Sequence, residues 1–343
     1  MHASPMTQLP ETNLLLKWFD KYGRRLPWRH IGGAHPNPYH VLVSEFMLQQ
    51  TTVATVGPYF ARFMDAFPTI NALGDATDER VYSLWAGLGY YSRARSLHKT
   101  AKIIVGEYGG MLPDDRDKLL KLPGIGPYTA ASILSLAFNR YAPVVDGNVV
   151  RVICRLNGWD MPTSTIMDRI RDAARDMTDP TRPADYASAI MDFGAMVCTP
   201  KNPACDTCPL RDYCVAHQNG TVDRIPVILK LKKKEKIGRA YVIKNRGGQI
   251  FIRRRTGRGL LAGLYEVPWT DDGAPVIDAP GTDTGIIVTH TFTHIQLTLE
   301  LHIIECDAPG IDGMFVSPDD LGAYPTSTLM KKAFAALCRA GMI

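Results

Sequence analysis

Of 343 residues only seven are cysteine, an odd number. No apolar run reaches the ~18 residues that a membrane-spanning helix needs. The opening stretch, MHASPMTQLPETN, lacks a basic segment followed by an apolar one, so a secretory signal is not expected and a cytoplasmic location is. In an unexported chain an odd set of cysteines does not read as a disulfide framework, and clustered thiols point instead to metal or catalysis. Charge of one sign is also in short supply. The 39 Lys+Arg exceed the 34 Asp+Glu by only +5, which permits nucleic acid as a partner without demanding it. There is no internal repeat, which excludes a repeat array, and no low-complexity tract.

What is present is the composition of a soluble globular protein, 45% hydrophobic and 21% charged. The length predicts two domains, at roughly 100–200 residues each. Helix-period apolar patterns recur over Leu14–Phe19, Val41–Met47, Val81–Leu84, Ala130–Leu136, Val149–Leu156 and Tyr186–Met196. Residues 219–238 are polar and Lys-rich around one proline, and read as a connector or a DNA-backbone contact. Beyond them RAYVIKN, QIFIRRR, LYEVPW and HIQLTLELHII alternate or are β-branched, and LMKKAFAALCRA closes the chain as a helix. The expected fold is two-domain: a mostly α-helical domain over 1–218, a linker over 219–238, and a smaller α+β domain over 239–343.

Four of the cysteines crowd into CTPKNPACDTCPLRDYC. Cys198, Cys205, Cys208 and Cys214 are spaced C-x6-C-x2-C-x5-C. Four thiolates on one short loop can wrap one inorganic core, either a [4Fe–4S] cluster or a tetrahedral zinc ion. The three prolines between them stiffen the loop. Cys154, Cys306 and Cys338 have no such company and read as core thiols.

A second motif is Leu122-Pro-Gly-Ile-Gly-Pro-Tyr-Thr-Ala130, between two helical stretches. Gly124 and Gly126 around Ile125 allow a tight turn. Its backbone N–H groups, with the start of the next helix, can hold a phosphate. The absence of side chains lets a sugar–phosphate chain come close. Downstream lies Val-Val-Asp146-Gly-Asn148-Val. Taken alone such an Asp is a turn or helix cap.

Together the cysteine spacing, LPGIGPYTA…VVDGNV and VSEFMLQQT at 43–51 resemble the MutY-type adenine glycosylases of the helix–hairpin–helix, endonuclease III superfamily. The resemblance runs from about Leu14 to the last helix. It implies a helix–hairpin–helix glycosylase domain with a [4Fe–4S] loop, followed by a nudix-like domain opening at GLLAGLYEVP. It implies excision of adenine mispaired with 8-oxoguanine or guanine in duplex DNA, by a monomer acting in the nucleoid. Glu45 would protonate the leaving base and Asp146 would stabilise the oxocarbenium-like sugar, two carboxylates in the two roles known from glycoside hydrolysis. Asn148 would orient Asp146. Tyr128 stands where bifunctional relatives carry a lysine nucleophile, so the chain should cut no strand itself. Arg24, Trp28 and Arg29 would line the adenine pocket. Gln49, Gln50, Thr51 and Tyr90 would probe the DNA. Phe292, Thr293 and His294 match the family's Phe-Ser-His loop that reads 8-oxoguanine. One departure stands out: ten residues before the first cluster cysteine the family has Gln or Glu, and here Ser188 stands in the adenine pocket.

Other readings follow from the same residues. A sister glycosylase for thymine or oxidised pyrimidines would share the cluster and hairpin but lack the second domain and VSEFMLQQT. A silent damage-binding protein would need Glu45 or Asp146 to be lost. Nudix hydrolysis would need the R-E-x-x-E-E helix, which does not follow GLLAGLYEVP.

Overall fold

Prolines mark where helices begin. Pro10, Pro38, Pro127 and Pro183 each open a helix, because their fixed φ suits the first turn and their missing N–H would be unpaired there anyway. The computed structural model describes residues 9–29, 36–229, 233–256, 260–270, 276–277, 280–292 and 294–343. In chain order these form α1 (Pro10–Tyr22), α2 (Pro38–Leu48), α3 (Val53–Ala66), α4 (Ile70–Gly74), α5 (Asp78–Trp85), α6 (Tyr91–Tyr108) and α7 (Arg116–Leu120). Then come α8 (Pro127–Phe138), α9 (Gly147–Leu156), α10 (Met167–Met177), α11 (Pro183–Met196) and α12 (Val215–Gln218). The strands β1 (Lys234–Lys244), β2 (Ile250–Arg254), β3 (Tyr265–Glu266), β4 (Trp269–Thr270), β5 (Thr282–Thr291), β6 (Ile295–Glu305) and β7 (Met314–Val316) follow, and α13 (Thr328–Arg339) ends the chain.

Contacts divide the chain into two units, residues 1–74 with 99–230, and residues 75–98 with 231–343. This division differs from the boundaries drawn in sequence at two places. Residues 75–98 group with the C-terminal unit, and the segment read as a connector gives Lys234–Gly238 to β1. A backbone ladder needs no apolar side chains, so a Lys-rich strand end carries no sequence signal.

In the first unit α2 and α8 bury most of their residues and pack on each other, while α11 lies against α1, α8 and α9. Helices apolar all round belong in the middle of a bundle. In the second unit the sheet runs β3-β2-β1-β6-β5, with β4 on β1 and β7 on β2. β1 and β6 pair in parallel over their whole length, from Lys234 with Ile295 to Lys244 with Glu305. Ala240, Val242, Leu297, Leu299 and Leu301 point to one face and meet Leu329, Met330, Ala333 and Leu337 of α13. That period of two set against a helical stripe is what closes the unit's core.

Residues 75–98 are bound into this unit by several contacts. Arg254 pairs with Glu79 at 2.9 Å, Arg95 donates to the Ala262 carbonyl at 2.6 Å, and the Tyr91 hydroxyl donates to the Thr326 carbonyl at 3.4 Å.

Candidate active site and cluster loop

The hairpin is built as its sequence requires. Gly124 has φ +80°, which favours glycine, and Gly126 precedes Pro127 as the N-cap of α8. The first-turn N–H groups of a helix have no acceptor within it and suit an anion. Gln50 and Tyr90, two of the residues expected to probe DNA, hold φ +57° and +48° without being glycine. Such strain is kept where the surroundings enforce it, commonly at functional turns. Gln49 reaches the first turn of α8, its amide donating to Thr129 Oγ1 at 3.5 Å.

Glu45 comes from the buried α2 and Asp146 from the N-cap of α9. Both line one cavity of about 330 Å³, with Arg24, Trp28, Arg29, Tyr128, Asn148 and Thr51 also in its wall. The size is that of a small-molecule site. Glu45 is 5% exposed. Burial first, then the Asp146 charge, raises its carboxyl to about 7, against the downward pull of the Ser132 hydroxyl and of Arg29. Glu45 therefore exchanges its proton near neutral pH and is protonated below it, where an ordinary carboxyl would already be ionised. Asp146 accepts from Val149 N at 2.7 Å and from Asn148 Nδ2 at 2.9 Å, both of which stabilise negative charge. Burial, then Glu45 and Asp146, hold the Tyr128 phenol well above its ordinary value. It stays neutral, with its hydroxyl 3.8 Å from the Met191 sulfur.

Ser188 does not line this cavity. It faces an adjoining one of about 50 Å³ that shares Arg24, Trp28 and Arg29 as a common wall. One turn further along α11 is Asp192, whose side chain is wholly buried. It accepts from Arg24 Nε at 2.8 Å and Nη2 at 2.6 Å, and Arg29 Nη1 lies 2.7 Å away. Sequence reasoning missed Asp192. A carboxylate inside the apolar run AIMDFGAM could have flagged it, since such a group must find a partner.

Arg151 and Arg155 were missed as well, one turn apart on the buried face of α9. Arg151 donates to Asn148 Oδ1 at 2.8 Å, to the Gly194 carbonyl at 2.6 Å and to the Cys198 carbonyl at 2.7 Å. Arg155, 2% exposed, donates to the carbonyls of Thr199 at 2.8 Å and Ile225 at 2.9 Å, and lies 3.3 Å from the Cys198 sulfur. A continuous hydrogen-bonded path thus runs from the cysteine loop through Arg151 and Asn148 to Asp146.

Cys198, Cys205, Cys208 and Cys214 line a single cavity. Burial, with smaller contributions from the neighbouring thiols, raises Cys205 and Cys214 and pushes Cys208 to about 12. A cation core must displace those protons. Among the described residues no three His, Cys, Asp or Glu side chains close on a point that would hold one metal ion. Four thiols lining one space could ligate a [4Fe–4S] core or a tetrahedral zinc.

In the second unit Tyr90, Phe292 and His294 line one cavity of about 640 Å³, along with His290 and Arg95. The Phe292 and His290 rings meet edge to face with centroids 4.5 Å apart. Thr293 lies outside the described residues.

Residues 43–175 match the HhH-GPD superfamily base excision DNA repair protein family, residues 198–214 the iron–sulfur binding domain of endonuclease III, and residues 239–336 the NUDIX domain. The adenine DNA glycosylase of Rattus norvegicus is 33% identical over 93% of this chain and 76% of its own length. The chain belongs to the adenine DNA glycosylase family. Another member, from Buchnera aphidicola subsp. Baizongia pistaciae, is 36% identical over 77% of this chain and 74% of its own. Among solved structures, a thermostable thymine-DNA glycosylase superposes with TM-score 0.54 at 27% identity, over 61% of this chain and 95% of that one. Endonuclease III in a non-covalent complex with DNA gives 0.52 at 25%, over 61% and 94%. The matched iron–sulfur domain spans all four cysteines, and the cofactor of this adenine DNA glycosylase family member is a [4Fe–4S] cluster.

Proposed function

We propose that the chain is a monofunctional, monomeric DNA glycosylase that hydrolyses the N-glycosidic bond of adenine opposite 8-oxoguanine or guanine, within the DNA-containing compartment. The observation that carries the chemistry is Glu45, which exchanges its proton near neutral pH and faces Asp146 in one cavity. Adenine leaves poorly as an anion. Glu45 gives its proton to N7, the C1′–N9 bond breaks, and the electron pair goes to the base. Asp146, held by Asn148 and the Val149 N–H, stabilises the cationic sugar. Glu45, now ionised, takes a proton from water as its oxygen attacks C1′. Two carboxylates thus serve as acid and as stabiliser in the manner of glycosidases.

The hairpin Gly124-Ile125-Gly126 holds the DNA backbone. Gln49, Gln50 and Thr51 enter the duplex, Arg24, Trp28 and Arg29 enclose the flipped adenine, and Ser188 backs that wall. Tyr90, Phe292, Thr293 and His294 read the opposite base. The cluster lies in a loop tied to α9 and serves to hold structure and sense DNA, with base removal left to the carboxylates. Among the described residues no helix is long and apolar enough to cross a membrane. The domains act as a helical glycosylase part, 1–218, joined by 219–238 to a lesion-reading part, 239–343, with residues 75–98 added to the latter.

The test is incubation with duplexes holding A opposite 8-oxoguanine, G or T, then alkali, with borohydride in parallel. Strand breaks that need alkali, in the order 8-oxoguanine, then G, and none opposite T, are expected, with little trapped complex because Tyr128 offers no amine. Excision from A·T at the same rate would overturn the mispair reading. Efficient trapping would overturn monofunctionality.

A further inference from the structure

Four polar contacts in the wall of the adenine cavity meet on one side chain. Asp192 Oδ1 receives Nε and Nη2 of Arg24 and lies 2.7 Å from Nη1 of Arg29. Oδ2 accepts from the Arg24 backbone N–H at 2.8 Å. Arg29 Nη1 is buried against Asp192 and completes the ion pair from the second arginine. Both guanidiniums line the cavity of Glu45 and Asp146, and Asp192 does not. It acts from behind.

We propose that Asp192 is a positioning residue of the excision reaction: it clamps Arg24 and Arg29 as one wall of the base pocket and offsets their charge, so that Glu45 keeps the proton it must give to the base. This rests on the acid role of Glu45 proposed above.

The charges around Glu45 can be followed group by group. From the start of α9 it faces Asp146. From segment 24–29 it faces Arg29, with Arg24 beyond. From α8 come Tyr128 and Ser132, and from 51–53 only Thr51, Thr52 and Val53. Burial, then Asp146, favours the proton on Glu45, and the Ser132 hydroxyl, then Arg29, opposes it. Burial works against both partners of the second pair, but Arg29 and Arg24 hold Asp192 below the usual carboxylate range. Removing the Asp192 charge would leave two guanidiniums in a low-dielectric wall, where their field on Glu45 is strong. Glu45 would then lose its proton at lower pH. Removing Arg24 does the reverse, because Asp192 and Arg29 remain as a neutral couple.

The experiment compares Asp192→Asn, Arg24→Gln and the double variant with the parent chain carrying its cluster. Two readouts are taken against pH: single-turnover excision from an A·8-oxoguanine duplex, and the Glu45 carboxyl band by infrared difference against Glu45→Gln in the free protein. Asp192→Asn should lower the midpoint by about one pH unit, a roughly tenfold loss of rate above it. Arg24→Gln should raise the midpoint, and the double variant should return close to the parent. A merely structural role would slow every variant without moving midpoints in opposite directions. Coinciding infrared midpoints overturn the proposal. The infrared signal needs no substrate, so it decides the matter even if the chain fails to excise adenine, which would instead overturn the reading of its function. Should Asp192→Asn not fold, the upward shift in Arg24→Gln decides alone.

Discussion

The adenine cavity and the cysteine cavity both bury charge, but they balance it differently. Around Glu45 the chain supplies both signs: Asp192 pairs with Arg24 and Arg29, and Asp146 is held by neutral donors. Around the cysteines, Arg151 and Arg155 are buried on α9, and among the described residues neither forms an ion pair. Their acceptors are carbonyls, one side-chain amide and a sulfur. A buried guanidinium without an anion is costly, and cysteines ligating a cluster as thiolates would supply the counter-charge here. One helix joins the two arrangements, with Asp146 at its start and Arg155 near its end.

The sharpest break in this comparison is at the carboxylates. Asp146→Asn or Glu45→Gln should lower single-turnover excision by ~10²–10⁴, the usual cost of losing a positioned acid or its partner, with DNA affinity nearly unchanged. The sign with pH follows from Glu45. Its carboxyl is raised to about 7 by burial, so the protonated, active form is full well below pH 7, and excision should fall as pH rises through that value. An alkaline limb that persists in Glu45→Gln would assign the titration elsewhere. Near-normal rates in either variant would remove it from the mechanism.

At the other end of α9, Arg155→Met keeps bulk but removes the cation and its hydrogen bonds. Leaving a buried acceptor unsatisfied costs about 1–3 kcal/mol. The variant should lose iron and its absorbance near ~400 nm faster than the parent and melt earlier. Parent-like iron retention would show that the carbonyls, and not the cluster's charge, are what Arg155 serves.

How much of this could be read in the sequence depends on whether a residue's partner is near in the chain. Cys198 to Cys214, the glycines of the hairpin and Asp146 with Asn148 lie within short windows, where spacing and family resemblance single them out. Clean periods gave α2, α8, α9 and β6. Asp192 escaped notice because Arg24 is 168 residues away. Arg155 likewise grips Thr199 and Ile225 from a distance. β5 was hidden by the bulge between Asp283 and Ile287, which breaks its alternation. The grouping of residues 75–98 with the C-terminal unit was hidden because α5 and α6 are helices following helices, and nothing local shows which core they join.

The cavity of the second unit relies on neither device. It offers rings, with Tyr90, Phe292, His290 and His294 in its wall. Replacing Phe292 and His294 together by Ala should therefore leave adenine chemistry intact and erase most of the preference for 8-oxoguanine over guanine, worth roughly 1–3 kcal/mol by the scale of other base discriminations. The ratio of the two excision rates is the measurement. If it is unchanged, the second unit only stabilises the chain.

The smallest effect is expected where the balanced site borders empty space. Ser188 lies one turn before Asp192 on α11, in the cavity of about 50 Å³ behind Trp28 and Arg29. Its short hydroxyl leaves that space unfilled, and the wall it backs carries the Arg29–Asp192 ion pair. Glutamine at this position could extend its amide into the gap and offer Arg29 an acceptor, adding a hydrogen bond without adding charge. One such bond contributes about 1 kcal/mol, so Ser188→Gln should speed excision a few-fold. The gain should show on A·G, where less binding energy comes from the opposite base. It should leave the pH midpoint where it is, because the net charge near Glu45 does not change. A slower enzyme with an unmoved midpoint would mean that the larger side chain crowds Trp28 and that the cavity is already filled. A moved midpoint would mean that Ser188 belongs to the charged wall with Asp192, and the boundary between the two cavities would have to be redrawn.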